Sequence, residues 1–340
     1  MEYTRLGTSG LKVSKIILGT MSFGSPDWQD WTLDEEASLS ILEHAYKAGI
    51  NTTLEVNNFI QADVYSHGKS ELIIGKALKK FNIPRDNIVL LTKVYFGISQ
   101  DGTQLDIPQC MFNDGQMVNR VGLSRKKLFS AVDASVERLG TYIDLFQIHR
   151  LDRDTPKEEI MRALNDIVES GKVRYIGASS MATWEFQQLQ NIAEKNGWHK
   201  FISMQNYVNL LYREEEREMI PYCQDTGVGI IPWSPISRGV LARPWKAQAT
   251  KRQETDKNAL PGADSDEVIV SRVEEISKKR GVSMATVATA WVMQKGASPI
   301  LGLTSEERVD QSLQSLKLKL TDDEINYLEE LYVPRTVQGF

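Results

Sequence analysis

Cysteine is scarce in this chain of 340 residues. Cys110 and Cys223 lie far apart in the sequence, which excludes a disulfide framework and any cysteine-based metal spacing. No HExxH or other zinc constellation occurs, so no metal is expected. No stretch of about 20 apolar residues occurs, so a transmembrane helix is not expected. Residues 1–20 lack the apolar run of a signal peptide, and Val337-Gln338-Gly339-Phe340 matches no lipidation or retention signal. A reducing, cytoplasmic setting is the expectation. Charge of one sign is not in excess. The net charge of −5 gives no reason to expect nucleic acid or an anionic membrane as partner. No G-x-G-x-x-G follows a strand to open a helix, which argues against a Rossmann dehydrogenase. Internal repeats and low-complexity tracts are also missing.

What is present is ordinary in amount: 41% apolar and 25% charged residues, enough for a normal core. The pattern is the informative part. Short, almost continuously apolar runs fall at 13–19, 50–56, 87–93, 143–149, 173–179, 202–206, 228–234 and 299–302. Amphipathic stretches alternate with them at 34–48, 69–81, 124–139, 158–170, 183–195, 214–225, 284–295 and 305–315. Apolar runs of this length suit parallel strands covered on both faces. Alternation of strand and helix predicts right-handed crossovers, and eight units is the number that closes a (β/α)8 barrel. The chain therefore reads as one α/β domain spanning 1–340. Thr32 or Asp34, Ser124, and Thr155 with Pro156 at the first helical position read as helix starts. Residues 3–13, with Gly7-Thr8-Ser9-Gly10 at the centre, read as an N-terminal β-hairpin. The connections 95–123 and 235–266 are long, as functional loops are, and both follow strands. Residues 246–258 are polar enough to be mobile.

Polar residues close several strands: Lys93, His149, Ser179-Ser180, Gln205-Asn206 and Trp233-Ser234, with Tyr65 in the loop after the second strand. A lone lysine there is more often solvated than catalytic, and a lone histidine more often packed. Five strand ends aimed at one face are harder to dismiss, because barrel active sites lie at the C-terminal ends of the strands.

These residues sit in recognisable company. Ala62-Asp63-Val64-Tyr65-Ser66-His67-Gly68-Lys69, Leu91-Thr92-Lys93, Ile143 through His149, Gly171 through Ser180, Ile231-Pro232-Trp233-Ser234-Pro235 and Ser305-Glu306-Glu307-Arg308 resemble successive signatures of the aldo-keto reductases. The resemblance covers residues 3–331. Gly19 through Gly24 and Tyr207 through Arg213 are most similar to fungal-type members, some of which act in secondary (polyketide) metabolism.

The resemblance implies an NADP(H)-dependent oxidoreductase that reduces a small aldehyde or ketone to an alcohol. Tyr65 matches the general acid. A phenol near pKa 10 needs a polarising neighbour to act at neutral pH, and Lys93 matches it. His149 would hold the carbonyl oxygen. Thr20, Met21, Ser179, Ser180 and Gln205 would hold the nicotinamide end, with Trp233 stacked on the ring. Ser234, Ser237, Arg238 and Gly239 match the loop over the pyrophosphate. Gly302, Ser305, Arg308, Gln311 and Ser312 match the segment for the adenosine 2′-phosphate, aided by a helix N-terminus near Ser305. Many members carry Lys and Asn where this chain has Gly302 and Ser312, which leaves more of the charge to Arg308.

One segment departs from the pattern. The second strand of the family usually ends Asp-Thr-Ala-x-x-Tyr, and the aspartate pairs with the catalytic lysine. Counted back from Tyr65 its place is Ile60; counted forward from Gly49-Ile50-Asn51-Thr52 it is Leu54. Neither is acidic. Residues 53–61 (TLEVNNFIQ) stand where three residues are usual. Glu55 or Asp63 supplies the carboxylate, or the carboxylate is lost, or an unusual exon choice or gene model produced the segment. Period-2 alternation argues against Glu55. The alternative to an enzyme is an NADPH-binding, weakly active or non-catalytic subunit resembling the potassium-channel β subunits.

Overall fold

The computed structural model describes residues 1–54, 65–98, 111–247, 254–255, 263 and 265–339. Strands β1 (Tyr3–Arg5) and β2 (Lys12–Ser14) form the antiparallel hairpin, with Tyr3 opposite Ser14. The next strands are β3 (Ile17–Gly19), β4 (Thr52–Leu54), β5 (Val89–Val94), β6 (Ile143–Ile148), β7 (Val173–Ser179), β8 (Phe201–Gln205), β9 (Gly229–Ile230) and β10 (Ile300–Gly302). They form one eight-stranded sheet in the order β10-β3-β4-β5-β6-β7-β8-β9, and every neighbouring pair is parallel. The outer strands also approach each other. Ile300 N donates to Pro232 O at 3.0 Å, Ser298 N to Ile230 O at 2.9 Å, and Trp233 bridges Ile300 in parallel.

Between the strands run α1 (Glu35–Lys47), α2 (Lys69–Lys80), α3 (Arg125–Leu139), α4 (Lys157–Glu169), α5 (Thr183–Asn196), α6 (Met219–Thr226), α7 (Ser265–Arg280), α8 (Met284–Gln294), α9 (Glu306–Gln314) and α10 (Asp322–Glu329). Side-chain oxygens start several of them, because the first helical N–H groups lack intrahelical acceptors. Asp34 accepts from Ala37 N, Ser124 from Lys127 N and Ser305 from Arg308 N.

The period-2 alternation of the strands sorts their side chains into two cores. Leu18, Leu90, Phe146, Ile148 and Leu301 pack against the helices. Ile17, Val89, Leu91, Leu145, Ile231 and Ile300 face the other way and join Leu6 and Val13 of the hairpin in a second cluster. Hence the hairpin covers the N-terminal end of the strands. The same parity sets Lys93 on the face of Val89 and Leu91, and Gln147 and His149 on that of Leu145.

Several expectations need correcting. The run 13–19 is divided: Lys12–Ser14 serves the hairpin and only Ile17–Gly19 joins the sheet. Pro156 stands at the N-cap of α4 rather than inside its first turn, and the Thr155 hydroxyl donates to Asp152 Oδ2 at 2.7 Å. The stretch 214–225 is a 3-10 turn at Glu214–Glu216 followed by α6, not one helix. Helices α7 and α10 had no counterpart in the periodicity reading. Of the polar tract 246–258, most lies outside the described residues. Among the described residues no helix is long and apolar enough to cross a membrane, and no cluster of His, Cys, Asp or Glu could hold a metal ion.

Candidate active site

Lys93 and His149 meet at the C-terminal edge of the sheet. Lys93 is fully buried and in register with Gln147, and His149 N donates to Val94 O at 2.9 Å. Burial pushes the His149 imidazole well below its ordinary value, and the charges of Lys93 and Arg150 push the same way. The ring is thus neutral at physiological pH. Phe96 meets it edge-on at 5.2 Å. His149 Nδ1 has no hydrogen-bond partner among the described residues, and neither have the buried Thr20 Oγ1, Gln147 Nε2, Ser203 Oγ and Asn206 Oδ1. Buried polar atoms left this way are costly in a native fold and mark places where a polar ligand can bond.

A polar path runs from this pair across the sheet. Gln205 Nε2 donates to Gln147 Oε1 at 3.4 Å, and Ser179 Oγ donates to Gln205 O at 2.8 Å. Ser180 N donates to the same carbonyl at 3.1 Å, and Trp233 Nε1 reaches Ser180 Oγ at 3.3 Å. Gln205 owes its direction to a bulge. Ile176 pairs with Phe201 but Ala178 pairs with Met204, so β8 has one extra residue there. Without it, strict alternation from Ile202, which packs in the second cluster, would turn Gln205 toward the helices.

Trp233 stacks on Tyr207, with ring centroids 4.3 Å apart and planes inclined by 17°, and Tyr207 stacks on Tyr212. A nicotinamide could use only the indole face that Tyr207 leaves. Beyond Trp233 opens a cavity of about 620 Å³, lined by Met21, Trp233, Ser234, Arg238, Gly239, Gly302, Arg308, Gln311 and Ser312 from the predicted set. Thr20, Ser179, Ser180, Gln205, Ser237 and Ser305 do not line it. Thr20, Ser179, Ser180, Gln205 and Ser237 are buried, and Ser305 caps α9, with Arg308 in its first turn.

Tyr65 opens the single turn Tyr65–Gly68, whose backbone is left-handed at Ser66, His67 and Gly68. Gly68 is required there: a Cβ would stand 2.8 Å from Arg138 Cδ. Arg138 in turn donates from Nε to Glu71 Oε2 at 2.5 Å, and Thr92 Oγ1 donates to Glu71 Oε1 at 2.7 Å. This buried pair ties the turn and α2 to the strand that bears Lys93. Leu54, one of the two positions for the family aspartate, is in register with Leu91, two residues short of Lys93. Glu55, Ile60 and Asp63 lie outside the described residues.

Comparison with known proteins decides the family. The model of the aldo/keto reductase family matches residues 15–333. The chain belongs to the aldo/keto reductase family. It is an oxidoreductase by that membership. It is similar to versiconal hemiacetal acetate reductase of Aspergillus parasiticus, 60% identical over 99% of this chain and 98% of that protein. The aldo-keto reductase AMT2 of Alternaria alternata is 46% identical over 99% of this chain and 93% of its own length. An aldo-keto reductase of Fusarium vanettenii is 47% identical over the whole of this chain.

Against this aldo/keto reductase frame, the sequence reading missed several cavity residues: Ser22, Trp31, Arg243, Thr286 and Thr289. Arg243 stands in a long polar connection before Pro244, where nothing in its spacing separates it from a solvated arginine. Trp31 lies among polar residues of the loop after β3. Only the return of distant segments to one cavity brings these side chains together.

Proposed function

We propose that the chain is a single-domain (β/α)8 barrel, residues 1–340, that reduces an aldehyde or ketone to an alcohol with NADPH. The approach of β9 to β10 supports closure of the sheet. The observation that carries the activity is the buried Lys93 beside a neutral His149, joined through Gln147, Gln205, Ser180 and Trp233 to a cavity lined by arginines.

Bound NADPH supplies the hydride. The chain's own residues deal with the oxygen. Tyr65 gives its phenolic proton to the carbonyl oxygen, and the charge of Lys93 favours the tyrosinate that results. His149, being neutral, donates a hydrogen bond to the same oxygen and is not itself the acid. Ser179, Ser180, Gln205 and Trp233, with Thr20 and Met21, would hold the nicotinamide end. Ser234, Ser237, Arg238 and Gly239 would hold the pyrophosphate; Gly302, Ser305, Arg308, Gln311 and Ser312 would hold the adenosine phosphate. The similarity to versiconal hemiacetal acetate reductase supports a carbonyl or hemiacetal substrate and a setting in secondary (polyketide) metabolism.

The test is NADPH oxidation with 4-nitrobenzaldehyde and with 9,10-phenanthrenequinone, beside a fluorescence titration of NADPH. Binding with measurable oxidation is expected. Binding without oxidation of either compound would favour the non-catalytic subunit, and no binding would sink both readings.

A further inference from the structure

Arg243 is the first residue after the turn Ser237–Ala242, and its backbone is extended. Its Nε and Nη2 both donate to Gly239 O, at 3.3 and 3.2 Å. Gly239 is left-handed at φ 94°, and a Cβ there would come within 3.0 Å of Arg243 Nη2. The left-handed backbone favours glycine there, and the guanidinium folds back over the turn. Arg308, in the first turn of α9, is held from another side, with Nη1 on Thr304 Oγ1 at 2.5 Å. Both arginines line the 620 Å³ cavity. Among the described residues neither has a carboxylate partner. Burial lowers the pKa of Arg243, and the charge of Arg308 lowers it further, so the two cations feel one another.

Two guanidinium groups that line one cavity, with no carboxylate partner among the described residues, are an unfavourable arrangement until an anion joins both. A doubly charged phosphate monoester suits them better than a pyrophosphate oxygen, because it offers two charges and several acceptors at one point. Gly302 lines the same cavity and brings no side chain to compete. We propose that Arg243 and Arg308 together clamp the 2′-phosphate of NADPH, so that Arg243 is a second residue selecting NADPH over NADH. This rests on the reading that the cavity takes the adenosine end of that cofactor.

The experiment is calorimetric titration of the full chain with NADP⁺, NAD⁺, 2′,5′-ADP and 5′-AMP, for the native protein, Arg243→Gln, Arg243→Lys and Arg308→Ala. Arg243→Gln should weaken NADP⁺ and 2′,5′-ADP by about tenfold or more, the size of a lost charge-assisted phosphate contact, and leave NAD⁺ and 5′-AMP within about twofold. Arg243→Lys should keep part of the affinity, since it keeps charge and loses the fork. If Arg243→Gln does not fold, as judged by thermal unfolding without ligand, Arg243→Lys decides: an unchanged NADP⁺ affinity overturns the proposal. Equal weakening of NADP⁺ and NAD⁺ assigns Arg243 to the pyrophosphate and overturns it too. No effect of Arg243→Gln while Arg308→Ala abolishes the preference overturns the clamp but leaves the cofactor reading standing. A native protein that binds NADP⁺ and NAD⁺ equally removes the cofactor reading itself.

Discussion

Glu215 is 6% exposed and sits behind the strand end that carries Gln205 and Asn206. Burial raises its pKa from the ordinary 4.5 to about 8; Asn206 Nδ2, donating at 2.8 Å, opposes this, and the charge of Glu214 adds to it. The neighbouring Cys223 thiol is pushed up to about 12, by burial and then by Glu215. The native state therefore holds a proton on Glu215 that the unfolded chain releases between pH 4.5 and about 8. Stability contributed by this group is full below the lower value, falls as pH rises through the window, and is flat above it. Glu215→Gln should remove that fall, and the check is a pair of urea titrations at pH 5, 7 and 9. Parallel stability profiles for the two proteins would show that Glu215 is ionised in the fold. At the same scale, Tyr65→Phe should abolish carbonyl reduction and leave NADPH binding within about twofold. A general acid contributes typically 10²–10⁴-fold, so a variant retaining more than about a tenth of native turnover would exclude Tyr65.

At the scale of elements, strand β4 is where the sequence departs from the family pattern. It lies between β3 and β5, with Leu54 opposite Leu91. No carboxylate stands at Leu54, and the segment that follows is longer than the family pattern. The chain is accordingly expected to bind NADPH and to reduce carbonyls slowly. Replacing residues 53–61 by Phe-Asp-Thr should raise turnover by about tenfold, since one pKa unit on a catalytic group is ~1.4 kcal/mol. The two proteins are compared by single-turnover kinetics at saturating NADPH. Native turnover already near about 1 s⁻¹, inside the common enzyme range, would contradict this, and Glu55→Gln would become the variant to make.

Across the whole molecule, the buried Arg138–Glu71 pair joins α3, α2 and, through Thr92, the strand that bears Lys93. The Glu71 side chain is 1% exposed and that of Arg138 18%. Removing one partner leaves the other charge buried, which costs more than removing both. Arg138→Met should destabilise the fold by about 3–5 kcal/mol, and Arg138→Met with Glu71→Gln should recover part of the loss. Guanidinium unfolding of the four proteins in that cycle reads the coupling. Strictly additive losses would mean that the pair contributes only packing. Position in the parallel sheet was legible in the sequence for most elements: the apolar runs at 143–149 and 173–179 appear as β6 and β7 with nearly those bounds. Helix α7 escaped notice because its sequence is polar with a weak stripe, and its burial depends on α8 and α10 lying beside it.

The sequence by itself determined the alternation of strands and helices, the cap at Ser124, helix starts at Thr32 or Asp34 and near Ser305, and the parity that sends Lys93, Gln147 and His149 to one face. These follow from local periodicity and from hydrogen bonds between near neighbours, which a linear reading can count. Tertiary structure alone decided the bulge that redirects Gln205, the stacking of Tyr207 on Trp233, and the placing of Arg243 and Arg308 on one cavity. Arg243 and Arg308 belong to separate β/α units, and no short-range pattern links them. They reach one cavity because the turn Ser237–Ala242 packs on α8, which also lies beside α9, so the charge they concentrate there is a property of the packed chain.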